Sequence, residues 1–261
     1  MFVLFFEKKR FFCVFRGPGA VKQEKTSRNT ETNSKTDFIF AWCSYCKSHS
    51  CFYLFGFFVY PHEYYKNSFN GDLITHSHFS LSYVEDHEQA EWVYYKLNPI
   101  LLKGSSKRTN NFRVDLKVKT GSAEISDYKK SGYDRGHLAP AADMKFSKIS
   151  MSESFFMSNM SPQKPSFNRG GWKKLESLVR FWAEDSEIHI VTGGILNKSL
   201  NKIGGNRVSV PDYFYKIIFD THDCKMIGFV MPNKKITHEL ESYIKTIDAV
   251  SYTHLTLPTK A

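Results

Sequence analysis

One amphipathic stretch near the middle of the chain constrains the fold most. From about Asn168 to Ala183 large apolar side chains recur every three or four residues, which places them on one side of a helix. That apolar stripe consists of Trp172, Leu175, Val179 and Trp182. Two short segments before it, Tyr133–Leu138 and Phe155–Asn159, are predicted to be strands. The pattern therefore predicts the order strand, strand, helix.

The region from Tyr133 to Arg180, which includes most of this stretch, carries an unusual set of polar residues. It contains no cysteine, and the polar residues that stand out are His137, Asn159, Asn168, Glu176, Arg135 and Arg180. A zinc site favours cysteines or several closely spaced histidines. A hard cation such as Mg²⁺ needs few protein oxygens and keeps most of its waters. Arginines suit a phosphate that must be held while it reacts.

These residues also form a spaced motif. Asp134-Arg135-Gly136-His137 is followed by Asn159-x-x-Pro162-Gln163 and then by Asn168, eight residues before Glu176. From roughly Ser77 to Ala249 the chain resembles the DNA/RNA non-specific endonuclease family, which includes secreted bacterial nucleases and the mitochondrial endonuclease G group. The resemblance implies an α+β fold with a central antiparallel sheet, helices and a ββα-metal finger that carries the active site. It also implies sequence-independent cleavage of DNA and RNA that leaves 5′-phosphate ends.

Hydrolysis of a phosphodiester needs a base, relief of charge at phosphorus and help for the leaving oxygen. We assign His137 as the base, since an unperturbed imidazole pKa of ~6.5 suits that role. Asn168 is the predicted Mg²⁺ ligand, with Mn²⁺ as a potential substitute. Glu176 is expected to accept hydrogen bonds from metal-bound waters. Taken singly, these residues also fit a structural histidine, a helix cap and a solvated carboxylate paired with Arg180.

The arginines are predicted to hold phosphate groups. Arg135 adjoins the base and Arg180 lies one helical turn after Glu176, while Arg108 joins them by a looser resemblance. Each could instead form a surface salt bridge, and for Arg108 the two interpretations are equally weighted. Asn159 is expected to hydrogen-bond near His137 and order the finger.

Charge favours a polyanionic partner without establishing one. The 261 residues carry a net charge of +10, but residues 1–70 hold 10 of the 36 Lys and Arg and 5 of the 26 Asp and Glu. The remaining 26 basic and 21 acidic residues make the rest only mildly basic, so activity is not inferred from charge. Four of the five cysteines precede the resembling region, and only Cys224 lies within it, so no disulfide framework is expected.

The chain divides into one predicted domain and two flanking parts. Residues 71–250 form the nuclease domain, residues 1–70 are unassigned and predicted to be disordered or outside any domain, and residues 251–261 look like a non-native tail. The apolar runs Met1–Phe15 and Cys51–Tyr60 are interrupted or too short to span a membrane, and a membrane partner is not expected. We expect a secreted or periplasmic enzyme, because a non-specific nuclease endangers its own genome.

Periodicity predicts further elements in the domain. The predicted strands are His78–Tyr83, Ile188–Thr192 and a hairpin of Val208–Asp220 with Lys225–Pro232, while His87–Leu97 fits a strand or a short helix. The predicted helices are Ala123–Lys129 and one beginning in Thr237–Ile247, and Lys145–Glu153 is predicted to be irregular.

Two other functions remain open from the sequence. One is a basic nucleic-acid-binding module that has lost hydrolysis, which the joint presence of His137, Asn168 and Glu176 disfavours. The other is a zinc-dependent HNH-type nuclease, which would need further histidine ligands after the start of the helix.

Overall fold

The computed structural model describes residues 71–223 and 225–246, together with the backbone of Ala41–Trp42. Predictions for the rest of residues 1–70, for Cys224 and for the tail 251–261 fall outside the described residues. Within the described part, none of the helices has both the length and the apolar character needed to span a bilayer.

A large antiparallel sheet dominates the fold and confirms the α+β class. The strands of the described residues are β1 Ala41–Trp42, β2 Asp72–Thr75, β3 Phe79–Val84, β4 Gln89–Leu97, β5 Asp134–His137, β6 Met160–Gln163, β7 Ile188–Gly194, β8 Lys202–Ile203, β9 Val208–Ser209, β10 Tyr213–Asp220, β11 Lys225–Pro232 and β12 Ile244–Lys245. The sheet order is β1-β11-β10-β7-β4-β3-β2, with β12 also paired to β11. The segment His87–Leu97, which fitted a strand or a short helix, therefore contains strand β4. The predicted strands His78–Tyr83, Ile188–Thr192 and Lys225–Pro232 correspond to β3, β7 and β11.

Helices are few and short. The α-helices of the described residues are α1 Ile125–Tyr128, α2 Lys148–Glu153 and α3 Lys173–Trp182. Single 3₁₀ turns occur at Glu85–His87, Leu101–Lys103, Ala141–Met144, Met157–Asn159 and Leu240–Tyr243. The short helix predicted within Ala123–Lys129 is α1, and a reciprocal capping box between Glu124 and Asp127 defines its start.

Helix α3 packs its predicted apolar stripe against one face of the sheet. Leu175 and Val179 are fully buried in the same cluster as Phe214 and Ile218 of β10. Burying one such side chain contributes about 1.5–3 kcal/mol. Because strand side chains alternate between faces, the residue between those two, Lys216, also faces α3.

Strands β5 and β6 form a separate antiparallel pair, with Asp134 opposite Gln163 and His137 opposite Met160. The Gln163 side chain lies directly over Gly136, because a Cβ on Gly136 would lie 2.2 Å from it. A turn over Phe167–Trp172, kinked at Gly170 where φ and ψ are not helical, then leads into α3. The strand, strand, helix order predicted from the sequence is therefore present, although the regular α-helix begins at Lys173 rather than near Asn168.

The prediction of a strand at Phe155–Asn159 was wrong. Met157–Asn159 is a 3₁₀ turn, and the second finger strand follows at β6. The apolar character of the segment reflects packing instead, since Phe155 is fully buried in a small cluster beside Phe112.

Three other boundaries differ from prediction. Lys145–Glu153 contains α2, whose start is capped by the Ser147 hydroxyl accepting hydrogen bonds from two backbone N–H groups. The first hairpin strand begins only at Tyr213, because β9 pairs with β8 and ends two residues before Pro211. Thr237–Ile247 forms no α-helix within its described residues, since a 3₁₀ turn is followed by β12, which pairs with the edge of β11.

Candidate active site

His137 ends β5 with its imidazole packed between aromatic rings. The ring stands edge-on to Phe155, with centroids 4.9 Å apart, and lies 5.8 Å from Phe112. Its Nε2 is buried and has no hydrogen-bond partner among the described residues. Burial, aided by the positive charges of Arg108 and Arg135, lowers the pKa of His137 to about 3. The imidazole is therefore neutral near pH 7 and can accept a proton.

Aromatic rings also support the two arginines nearest His137. The Arg108 guanidinium lies 4.8 Å from the Phe155 centroid, and that of Arg135 lies 4.2 Å from the Phe112 centroid, both within cation–π range. Neither arginine is ion-paired with a carboxylate among the described residues. Both guanidinium groups therefore keep donors that a phosphate could use.

The side chain of Asn168 is oriented by Asp134. Its Nδ2 donates to Asp134 Oδ2 over 2.9 Å, and Arg169 donates to both oxygens of the same carboxylate. Although burial acts in the opposite direction, hydrogen bonds from Arg169 and Asn168 lower the pKa of Asp134. Among the described residues no group donates to the Asn168 oxygen, which is left open for a hard cation.

The described part of the chain contains no cluster of metal-ligating side chains. Within residues 71–223 and 225–246, no group of three or more His, Cys, Asp or Glu could hold a metal ion together. The described residues thus lack the ligand set of the zinc-dependent HNH alternative. A single amide oxygen suits a cation that retains most of its own waters.

Arg180 pairs with a carboxylate that the sequence did not indicate. Its Nη1 donates to Asp143 Oδ1 over 2.8 Å, and its Nη2 donates to Ser177 Oγ. Tyr95 donates to the other Asp143 oxygen over 3.0 Å. Burial raises the pKa of Asp143, with the Arg180 charge opposing that shift. The alternative in which Arg180 pairs with Glu176 is thus replaced by an Asp143 pair.

Glu176 lies on α3 beside this pair. Burial raises its pKa to about 7, while the charges of Lys216, Arg180 and Arg108 act to lower it. None of the described residues donates a hydrogen bond to its carboxylate. Both oxygens are therefore available to accept hydrogen bonds from water. Arg108 links the two parts of the site, because its charge acts on both His137 and Glu176.

A family comparison is consistent with this arrangement. The family model for DNA/RNA non-specific endonuclease matches residues 61–257, about three quarters of the chain. The chain belongs to this family.

Individual relatives come from animals, fungi and bacteria. The chain is 34% identical to nuclease EXOG, mitochondrial, of Danio rerio over 62% of this chain and 53% of that protein. It is 32% identical to endonuclease G, mitochondrial, of Homo sapiens over 62% of this chain and 60% of that protein. The chain thus spans about half to three fifths of these relatives. It is also similar to a solved EndoG/EndoGI complex, with a TM-score of 0.65 and 28% identity over 71% of this chain and 85% of that chain.

Asn159, from the family motif, binds backbone groups with its whole side-chain amide. Its Oδ1 accepts from the Ala139 backbone N–H, and its Nδ2 donates to the carbonyl oxygens of Ala139 and Ser154, each over 2.9 Å. The side chain is fully buried. These contacts order the chain directly after His137 and leave no part of the amide free to reach a substrate.

Two charged residues of this family member were missed from the sequence. Lys216 and Asp143 are both buried and both act on Glu176. Lys216 had a detectable signal, because a lysine in the apolar strand Tyr213–Asp220 contradicts the usual exclusion of lysine from cores. The sequence held no such signal for Asp143, because this residue becomes buried only when the Ala141–Met144 turn packs against α3 and β4.

Proposed function

We propose that this chain is a Mg²⁺-dependent endonuclease that hydrolyses DNA and RNA without reading their sequence. The observation that carries the proposal is that two groups occur together: the neutral imidazole of His137 at the end of β5, and the side-chain oxygen of Asn168, whose amide is oriented by Asp134. Both groups lie on the finger, and the imidazole is flanked by Arg108 and Arg135, which form no ion pair with a carboxylate among the described residues. Family membership supports the reaction class, and the relatives matched are named nucleases.

The proposed reaction uses His137 as general base. Water transfers a proton to the imidazole while its oxygen forms a bond to phosphorus, and the bond to the 3′ oxygen breaks. The phosphate then remains on the 5′ end. A pKa of about 3 describes the site without substrate, and an incoming phosphate would raise it by adding negative charge beside the ring. The base strength is therefore greatest when substrate is present.

Arg108 and Arg135 are proposed to hold the phosphate beside His137, and Arg180 to contribute positive charge from its pair with Asp143. Asn168 would bind Mg²⁺ through its free oxygen, and Glu176 would accept hydrogen bonds from the waters of the ion. The bound cation would neutralise charge on the phosphate and the leaving oxygen. Contacts to phosphates carry no sequence information, so these groups predict cleavage without sequence preference.

The test is digestion of plasmid DNA and total RNA by the full chain with Mg²⁺ or with EDTA, beside His137→Ala. We expect the wild type to degrade both substrates with Mg²⁺, and EDTA or the substitution to abolish cleavage. His222→Ala is the matched control, since that side chain is largely exposed and pairs only with neighbouring Asp223. A folded wild type that binds DNA but never cuts it would instead establish the binding module.

Export is a further part of the proposal, because a nuclease without sequence preference is hazardous beside the genome of its host cell. Expression of the natural gene followed by fractionation and activity staining checks it. Activity confined to the cytoplasmic fraction would contradict export.

A further inference from the structure

Lys216 is a charged residue where the fold calls for an apolar one. It lies on β10 between Phe214 and Ile218, which both belong to the core beneath α3. Its side chain is fully buried, and its Nζ has no hydrogen-bond partner among the described residues. Burying a lysine costs free energy, and a buried ion pair replaced as a whole by well-packed apolar residues often leaves stability unchanged or raised. Packing of the core therefore does not by itself require a charged residue at this position.

The surroundings of the ammonium group show what it acts on. Two rings lie beside it, with Nζ 4.9 Å from the Trp172 centroid and 5.8 Å from that of Tyr95. The charged groups near enough to influence it electrostatically are the carboxylates of Glu176 and Asp143 and the guanidinium of Arg180. Burial, opposed by the two carboxylates, lowers the pKa of Lys216 to about 8.

The two carboxylates are not equivalent partners for the lysine. Asp143 already accepts hydrogen bonds from Arg180 and Tyr95. Glu176 accepts none from the described residues, so its position depends on charge rather than on a hydrogen bond. The ammonium group is fixed by its strand and by the two rings. It thus supplies a fixed positive charge beneath α3, the helix that contains Glu176.

We propose that Lys216 is a positioning residue that acts on the nuclease reaction through the Glu176 carboxylate. This inference rests on the proposed function, in which Glu176 holds the waters of the cation. Lys216 touches neither substrate nor cation. It keeps charged and oriented, at the edge of the core, a carboxylate that accepts no hydrogen bond from the described residues.

The experiment compares full-length wild type, Lys216→Met and Lys216→Arg in steady-state cleavage of plasmid DNA. We expect Lys216→Met to lower kcat and Mg²⁺ affinity by about 10–100-fold, as loss of groups that orient metal-bound waters does, with KM for DNA nearly unchanged. Lys216→Arg, which keeps the charge, should recover part of the loss. Lys174→Met is the matched control, because that lysine is exposed on the same helix as Glu176.

A double-mutant cycle separates positioning from a structural role. If Lys216 acts through Glu176, then Lys216→Met added to Glu176→Gln should change kcat by less than about threefold. Losses that multiply, or a lower thermal unfolding temperature that accounts for the lost activity, would overturn the proposal. If Lys216→Met does not fold, Lys216→Gln carries the same comparison.

Failure of this proposal is distinguishable from failure of the nuclease function. An active wild type with an equally active Lys216→Met refutes only the role of Lys216. A wild type that never cuts refutes the nuclease function. Calorimetric titration of the nucleic-acid-free proteins with Mg²⁺ still tests the lysine, and equal affinities for wild type and Lys216→Met would refute its role.

Discussion

Replacing Asn159 should unfold the finger rather than remove a chemical group. Asn159→Ala leaves the Ala139 N–H and the carbonyl oxygens of Ala139 and Ser154 buried without their partners. At about 1–3 kcal/mol for each unsatisfied group, the loss is about 3–9 kcal/mol of unfolding free energy. Domains are typically stable by only about 5–15 kcal/mol, so activity should fall with the folded fraction.

Urea denaturation followed by tryptophan fluorescence measures the loss. Asn111→Ala is the control, because Asn111 is exposed and its replacement should cost no more than about 0.5 kcal/mol. An Asn159→Ala protein that loses cleavage while its urea midpoint stays at the wild-type value would refute the structural account. The amide would then have to act in the chemistry.

The isosteric change Asn159→Asp adds a pH signature. Its carboxyl group would face the two carbonyl oxygens, so its pKa in the folded state should rise above the unfolded value of ~3.9. A raised folded pKa means that stability is present at low pH and lost as pH rises. The deficit relative to wild type should therefore be larger near pH 7 than near pH 4. A deficit that does not change with pH would contradict this reasoning.

Two further changes test the core and the cation site. Leu175→Ala, at a fully buried position, should lower the free energy of unfolding measured in urea by about 3–5 kcal/mol. Leu178→Ala, at a partly exposed position, should lower it clearly less, and equal losses would contradict the packing of α3. Asp134→Ala should lower Mg²⁺-dependent activity by about 10–100-fold, because it removes the acceptor that orients the Asn168 amide. Arg169→Ala should lower it far less, because it removes only an exposed ion pair, and an equal loss would show that orientation of Asn168 is not the cause.

Local patterns in the sequence determined much of this protein. The stripe on α3, the capping box of α1 and the alternation in β3 are set by neighbours along the chain, and each element lies close to its predicted place. The motif around His137 likewise identified the family and the residues from which the candidate site is assembled. Residue types and short spacings carry this information because they act over one or two turns of backbone.

Tertiary structure alone decided how those residues are paired. A segment expected to be helical after Thr237 instead pairs partly with the open edge of β11, since a sheet edge offers hydrogen bonds that local propensity does not register. Asp134 orients Asn168 although 34 residues separate them in the sequence. Arg180 pairs with Asp143 rather than with Glu176, which is nearer to it along the chain. The charges of Lys216 and Glu176 influence each other only because β10 packs against α3 in the core. Charges buried together interact strongly because little water separates them, and only the folded chain brings them together.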